Sequence, residues 1–294
     1  LSHHSFIRFS NKMESVKTFY NELPFNFLDD IPVYVNHLKQ NNEILEYEDL
    51  NNLLLSKKNL FGSNQINTVL EGGCGTGWLS NSLSYHYDKK VKAIDITRKA
   101  IKLAKEVSLS LNQDVNFLHS DIFNYEDTNL YDLVISLGVL HHTFDCKLAF
   151  KKLSRFVKKG GYIYIGLYHL YGRKPMLQLL QSHSYWYGEE SSFNLFKRMN
   201  RNNANNEKHS YSWFRDQVLH PHETQHTLKE VSEWLKELGF KLKTTSIGKY
   251  DNNISNSLEK LYDKETKLQE YSYTMNCINK EFYPGYFTVC AQKD

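Results

Sequence analysis

The sequence is first informative for what it has little of. Its 294 residues hold four cysteines (Cys74, Cys146, Cys277, Cys290) with no C-x-x-C spacing, which argues against a disulfide framework and fits the reduced thiols of a cytoplasmic protein. No apolar run approaches 18 residues, so no membrane-spanning helix is expected. Charge of either sign is not in excess: 36 Lys and Arg stand against 33 Asp and Glu, for a net +3. That balance does not argue for a nucleic-acid partner. The pairs Lys89-Lys90, Lys151-Lys152 and Lys158-Lys159 read as solvated helix ends. Residues 1–12 lack an apolar stretch of the kind a secretory leader needs, and read as an appended remnant or disordered arm before a start at Met13. There is no internal repeat.

What is present is enough for a large core: 40% of residues are hydrophobic and 14% aromatic. One stretch organises the rest, Val69-Leu70-Glu71-Gly72-Gly73-Cys74-Gly75-Thr76-Gly77-Trp78-Leu79-Ser80. The apolar run Ile66–Leu70 reads as a buried strand and the pattern from Trp78 as a helix. Between them an acid precedes glycines at 73, 75 and 77. Such a turn lets a ligand lie against bare backbone, where a Cβ would block it. The helix start also points free N–H groups at that ligand. A dinucleotide fold wants G-x-G-x-x-G with a pyrophosphate at the helix N-terminus. Here the spacing is G-x-G-x-G, and Glu71 would repel a pyrophosphate but suits a cationic amine. The stretch resembles motif I of the class I S-adenosylmethionine-dependent methyltransferases, E/D-x-G-x-G-x-G. The resemblance implies S-adenosyl-L-methionine as cofactor, with Glu71, Gly72, Gly73, Cys74, Gly75 and Gly77 around it.

From Ile66 short apolar strands alternate with helices: strand 66–71, helix 78–87, strand 91–96, helix 97–111 capped by Thr97, strand 115–119, strand 131–137, helix 147–157, and strand 162–167 after a Gly160-Gly161 turn. The alternation predicts an α/β fold with a doubly wound, mostly parallel sheet, whose ligands bind at the carboxyl ends of the strands. Thr227-Leu228-Lys229-Glu230 reads as a capping box for a helix that Gly239 stops. Strands 240–247 and 286–291 then close a seven-stranded sheet. Two domains are expected: residues 1–60 as an N-terminal arm and helical lid, and 61–294 as the methyltransferase domain. The latter carries an acceptor-side insertion at 168–226 and a second, helical one at 249–284. The Asn-rich tract 200–206 reads as a mobile loop. Such N-terminal helices often close over the cofactor in the family, and Tyr20 and Phe25 are the contacts expected of a lid; packing on the sheet edge is the alternative.

Strand ends place Glu71, Asp95, Asp121 and Gly138 along one rim. Asp95 can accept both ribose hydroxyls, although the same acid would serve a nicotinamide dinucleotide. In the family, an acid at Asp121 accepts from the adenine amine while the next residue, Ile122, packs on the ring; a helix N-cap is the other reading of Asp121. Tyr131-Asp132-Leu133-Val134 through Val139-Leu140-His141-His142 resembles the family's segment beside the cofactor, which adds Ile96, Leu137 and Gly138 to the cofactor contacts.

The insertion opens with Gly166-Leu167-Tyr168-His169-Leu170-Tyr171-Gly172-Arg173. It closes with Ser212-Trp213-Phe214-Arg215-Asp216-Gln217-Val218-Leu219-His220-Pro221-His222-Glu223. These segments resemble a stand-alone bacterial group within the family. Asp216, His220, His222 and His226 are metal-ligating residue types, but D-x3-H-x-H-x3-H matches no standard zinc pattern and no metal is assigned. An acceptor pocket, a catalytic base and structural hydrogen bonding all stay open for them. Base candidates are His142, Tyr168, His169, His220 and His222. The aromatics Tyr168, Tyr171, Tyr185, Trp186, Tyr187, Trp213 and Phe214 either line a pocket or form the insertion's own core. The function implied is transfer of a methyl group to an O, N or C nucleophile of a small molecule. An RNA or protein methyltransferase and a non-catalytic or nicotinamide-binding Rossmann protein are the alternatives.

Overall fold

The computed structural model describes residues 15–26, 30–55, 65–200, 206–250 and 258–294. The expectations for the first dozen residues, for 201–205 of the Asn-rich tract and for 254–257 of the second insertion lie outside them. Residues 15–22 form helix α1. α2 (Ile31–Gln40) and α3 (Glu48–Leu55) follow, separated by a 3₁₀ turn at Glu43–Glu46. Then come β1 (Thr68–Gly72), α4 (Trp78–Tyr87), β2 (Lys90–Asp95), α5 (Arg98–Ser110), β3 (Asn116–His119), β4 (Tyr131–Leu137), α6 (Cys146–Ser154) and β5 (Val157–Tyr168). The chain then runs through α7 (Leu170–Tyr187), α8 (Glu189–Met199), α9 (Glu207–Phe214), a π-helical turn Arg215–Leu219, and α10 (Leu228–Glu237). It ends with β6 (Phe240–Thr245), α11 (Leu258–Lys264), α12 (Lys267–Tyr273) and β7 (Tyr286–Lys293).

The seven strands lie in the order β3-β2-β1-β4-β5-β7-β6. The first five are parallel, and β7 runs antiparallel to both β5 and β6. The order reverses between β1 and β4, so a crevice opens at their carboxyl ends, where open α/β sheets bind ligands. Side-chain alternation fixes which face each residue serves. Val69, Leu133, Ile135, Tyr162 and Tyr164 pack under α3, α4 and α5, whereas Leu70, Val134, Ile163 and Ile165 pack under α6 and α10. A separate cluster of Met176, Leu180, Phe193, Phe196 and Phe214 gives the insertion its own small core.

Several local readings change. Gly160-Gly161 is no turn before a strand: β5 starts at Val157, and Val157 pairs with Tyr131 while Tyr162 pairs with Leu133, so the glycines sit in a bulge. Lys158 therefore lies in a strand, bonded to Asp132, rather than at a helix end. Thr97 is at the N-cap of α5, but its side chain makes no capping bond; its N–H donates to Asp95 Oδ1 instead. At α10, Thr227 accepts from the Glu230 N–H as a capping box requires, while the Glu230 carboxylate turns to His226. Among the described residues, no helix is long and apolar enough to cross a membrane.

Candidate active site

A cavity of about 570 Å³ occupies the crevice, walled by the carboxyl ends of the strands, by α1 and α2, and by the insertion. Its inner half is built on the glycine turn. Gly73, Gly75 and Gly77 all have positive φ. A Cβ on Gly73 would overlap Val139, whereas one on Gly75 would meet open space, so Gly75 presents bare backbone to the cavity. Gly72 and Gly77 do not line it. The first makes room for Leu153, and the second lets Ala104 and Phe117 approach the start of α4. Their smallness serves packing beneath the loop, which corrects the expectation of ligand contact.

Glu71 is buried at the end of β1, with Ser80 Oγ donating to its carboxylate. Burial, reinforced by the nearby Asp95 charge, pushes Glu71 up to about 8. Asp95 ends β2. Its Oδ2 accepts from the Gly75 N–H at 2.9 Å and its Oδ1 from the Thr97 N–H at 2.7 Å, which fixes the carboxylate against the loop. Burial raises its pKa, and those backbone bonds oppose the rise. Asp121 Oδ1 accepts from the Phe123 N–H at 2.9 Å. It thus caps a local turn and lines the cavity as well. Ile96, Ile122, Leu137, Gly138 and Cys74 complete this half. Burial lifts the Cys74 thiol well above its ordinary range, so it is held protonated.

The outer half comes from β4, β5 and the insertion. His142 Nδ1 lies 3.0 Å from the carbonyl of His222, which can only accept, so the proton sits on Nδ1 and Nε2 carries the lone pair. Nε2 is buried without a partner. Burial holds His142 down at about 3, a neutral ring across the physiological range. Tyr168 is pinned between the Arg173 guanidinium, 3.6 Å from its ring centre, and the His141 ring at 3.9 Å. Arg173 is fully buried. It makes a two-pronged bond to Glu223 at 3.1 and 2.8 Å, and Nη1 donates to Gln217 Oε1 at 2.9 Å. That bond orients the Gln217 amide, whose Nε2 donates to Asp216 Oδ2 at 3.0 Å. Tyr20 of α1 donates to Asp216 Oδ1 at 2.7 Å, and Tyr168 reaches Oδ2 at 3.5 Å. Beside it, Asn26 Oδ1 accepts from Trp213 Nε1 at 3.1 Å and lies 2.9 Å from His209 Nε2, while Phe25 packs on Trp213.

A family model described as "Methyltransferase domain" matches residues 64–283, most of the chain. The chain belongs to the class I S-adenosylmethionine-dependent methyltransferases. It is 28% identical over 140 residues to malonyl-[acyl-carrier protein] O-methyltransferase 2 of Ilyobacter polytropus, covering 47% of this chain and 52% of that one. It is 27% identical over 161 residues to the ubiquinone biosynthesis O-methyltransferase of Nitrosomonas europaea, covering 51% and 68%. The chain thus spans about half the length of the first of these relatives. A solved structure of PKMT2 from Rickettsia typhi in complex with AdoHcy superposes with a TM-score of 0.56 at 17% identity, over 81% of this chain and 52% of that one, which speaks to the fold.

Against this methyltransferase site the sequence-derived candidates divide. Tyr20, Glu71, Asp95, Asp121, His142, Tyr168 and His222 all face one cavity. His169 does not. Its Nδ1 accepts the first N–H groups of α7 and its Nε2 meets Glu265 at 2.8 Å, so this candidate base is spent on capping and on holding the second insertion. His220 sits behind His142, the rings 3.7 Å apart, with Nδ1 accepting from the His222 N–H. His226 binds Thr224 and Glu230, so the D-x3-H-x-H-x3-H side chains go to separate partners. Of the insertion's aromatics, Tyr168 and Trp213 line the cavity, Phe214 is core, and Tyr185, Trp186 and Tyr187 are exposed. Sequence reasoning missed Tyr34, whose hydroxyl shares a 3.3 Å hydrogen bond with Thr76 of the glycine turn. It also missed Gln217 and Tyr286. Gly166 carried a signal for the last: a Cβ there would strike the Tyr286 hydroxyl.

Proposed function

We propose that the chain methylates a small molecule, with S-adenosyl-L-methionine in the inner half of the cavity and the acceptor in the outer half. One observation carries this reading: the glycine turn, Asp95 and Asp121 share one cavity with His142, Tyr168 and Asp216. The donor set fits the cofactor. Among the described residues no Lys or Arg lines the cavity, whereas Glu71 and Asp95 stand where a pyrophosphate would need positive charge. Buried carboxylates instead match a ligand with an amino group and ribose hydroxyls. Asp121 and Ile122 offer an acceptor and an apolar contact for adenine. When bound, the cofactor supplies a sulfonium methyl that is already strongly electrophilic. The chain's own work is to align the nucleophile and exclude water. Tyr20, Asn26 and Phe25 hold the N-terminal segment against the insertion, which supports its role as a lid.

Two relatives are named O-methyltransferases, which supports methyl transfer as the reaction class. A cavity of about 570 Å³ that sits in the crevice, with no Lys or Arg in its lining among the described residues, supports a small acceptor over RNA or protein. The four free cysteines suit a reducing, cytoplasmic setting. Asp95→Ala removes a charged acceptor and should weaken S-adenosylmethionine binding by about 1.5–3 kcal/mol. Isothermal calorimetry measures it, and an unchanged affinity would remove Asp95 from the cofactor site.

A further inference from the structure

The outer half of the cavity holds a buried carboxyl group, Asp216, with no ion-pair partner among the described residues. Asp216 is buried, and its partners are the neutral donors of Tyr20, Gln217 and Tyr168. Among the described residues no Lys or Arg forms an ion pair with it. The buried Arg173 guanidinium opposes the rise in the Asp216 pKa, but it spends its N–H groups on Glu223, Gln217 and the Pro284 carbonyl. A buried carboxylate with neutral partners only is costly unless a ligand completes it. Its raised pKa, caused chiefly by burial, reflects the same imbalance. The pocket thus offers a carboxyl group, with Trp213 and Phe25 as aromatic walls. Tyr168 gives no open ring face, being covered by Arg173 and His141.

We propose that the methyl acceptor carries a basic nitrogen, anchored by Asp216. A protonated nitrogen supplies the missing ion-pair partner. A carboxylate or phosphate group would face Asp216 with no cation to receive it. The inference rests on the methyltransferase reading for the word acceptor, and on this chain's own residues for the pocket.

The test uses the full chain saturated with S-adenosylhomocysteine and three aromatic probes of matched size: phenethylamine, phenethyl alcohol and phenylacetate. Calorimetry should show phenethylamine binding at least tenfold tighter than the alcohol, and no heat from phenylacetate. Asp216→Asn should erase the amine's advantage while leaving the affinity for S-adenosylhomocysteine unchanged. An alcohol that binds as well as the amine, or a preference for the carboxylate, would overturn the proposal. So would an Asp216→Asn variant that loses affinity for S-adenosylmethionine but not for S-adenosylhomocysteine, since the carboxylate would then serve the sulfonium. If that variant does not melt cooperatively, the probe order on the unaltered chain decides alone. If S-adenosylhomocysteine itself does not bind, the methyltransferase reading fails, and the same probe order on the free chain still tests the pocket.

Discussion

Glu71 shows how the fold alters the chemistry of a single residue. Held at about 8 by burial, it keeps a proton in the folded chain that the unfolded chain has released, from about pH 4.3 upward. Stability is therefore lost as pH rises through that window. His142 and His220, both held down at about 3, act in the opposite sense below about pH 6.5, where the unfolded chain takes protons that the folded one refuses. Between pH 6.5 and 8 these histidines are neutral in either state and Glu71 still titrates. Glu71→Gln is accordingly expected to flatten the fall in melting temperature of the ligand-free chain from pH 6.5 to 8, a slope worth at most about 1.4 kcal/mol per pH unit. Calorimetric melts of both proteins check it. A slope unchanged in the variant would mean that Glu71 is ionised in the folded chain.

Among the elements, the π-helical turn Arg215–Leu219 brings Asp216 and Gln217 to the outer half of the cavity, and Arg173 of α7 holds it. Nη2 of Arg173 donates to the Gln217 carbonyl at 2.6 Å, while the rest of the guanidinium joins Glu223 and the Pro284 carbonyl. Arg173→Ala leaves Glu223 without its cation and the turn without its anchor. A loss of about 3–5 kcal/mol is expected in urea unfolding. Arg173→Lys should recover little of it, because an ammonium cannot reproduce the fork. Near-complete recovery would show that charge alone matters there. This element also marks where the sequence stopped being legible. Strand–helix alternation and the acids at the ends of β1, β2 and β3 could be read because each depends on a short window. Arg173 joins residues 44, 50 and 111 positions away, and no periodicity announces such a meeting. His169 misled for the same reason: its partner Glu265 lies 96 positions on, so a residue set beside the acceptor segment in sequence is turned away from it in space.

At the scale of the molecule, a sheet reversing direction between β1 and β4 puts two kinds of chemistry at the mouth of one crevice. The strand ends and the glycine turn supply one half, whose residues were legible in the sequence. The N-terminal segment and the insertion supply the other, and their aromatic and polar side chains come together only in the fold. The chain carries a net +3, yet among the described residues no Lys or Arg lines the cavity, whose carboxyl groups include Asp95, Asp121 and Asp216. A lining without such cations offers no ion pair to a pyrophosphate. The most direct test is a calorimetric titration of the full chain with S-adenosylmethionine, S-adenosylhomocysteine and NAD in parallel. Saturable binding of one S-adenosylmethionine per chain, weakened by Asp95→Ala, with no heat from NAD, is the result expected. No heat from either sulfur ligand, or tighter binding of NAD, would contradict the account.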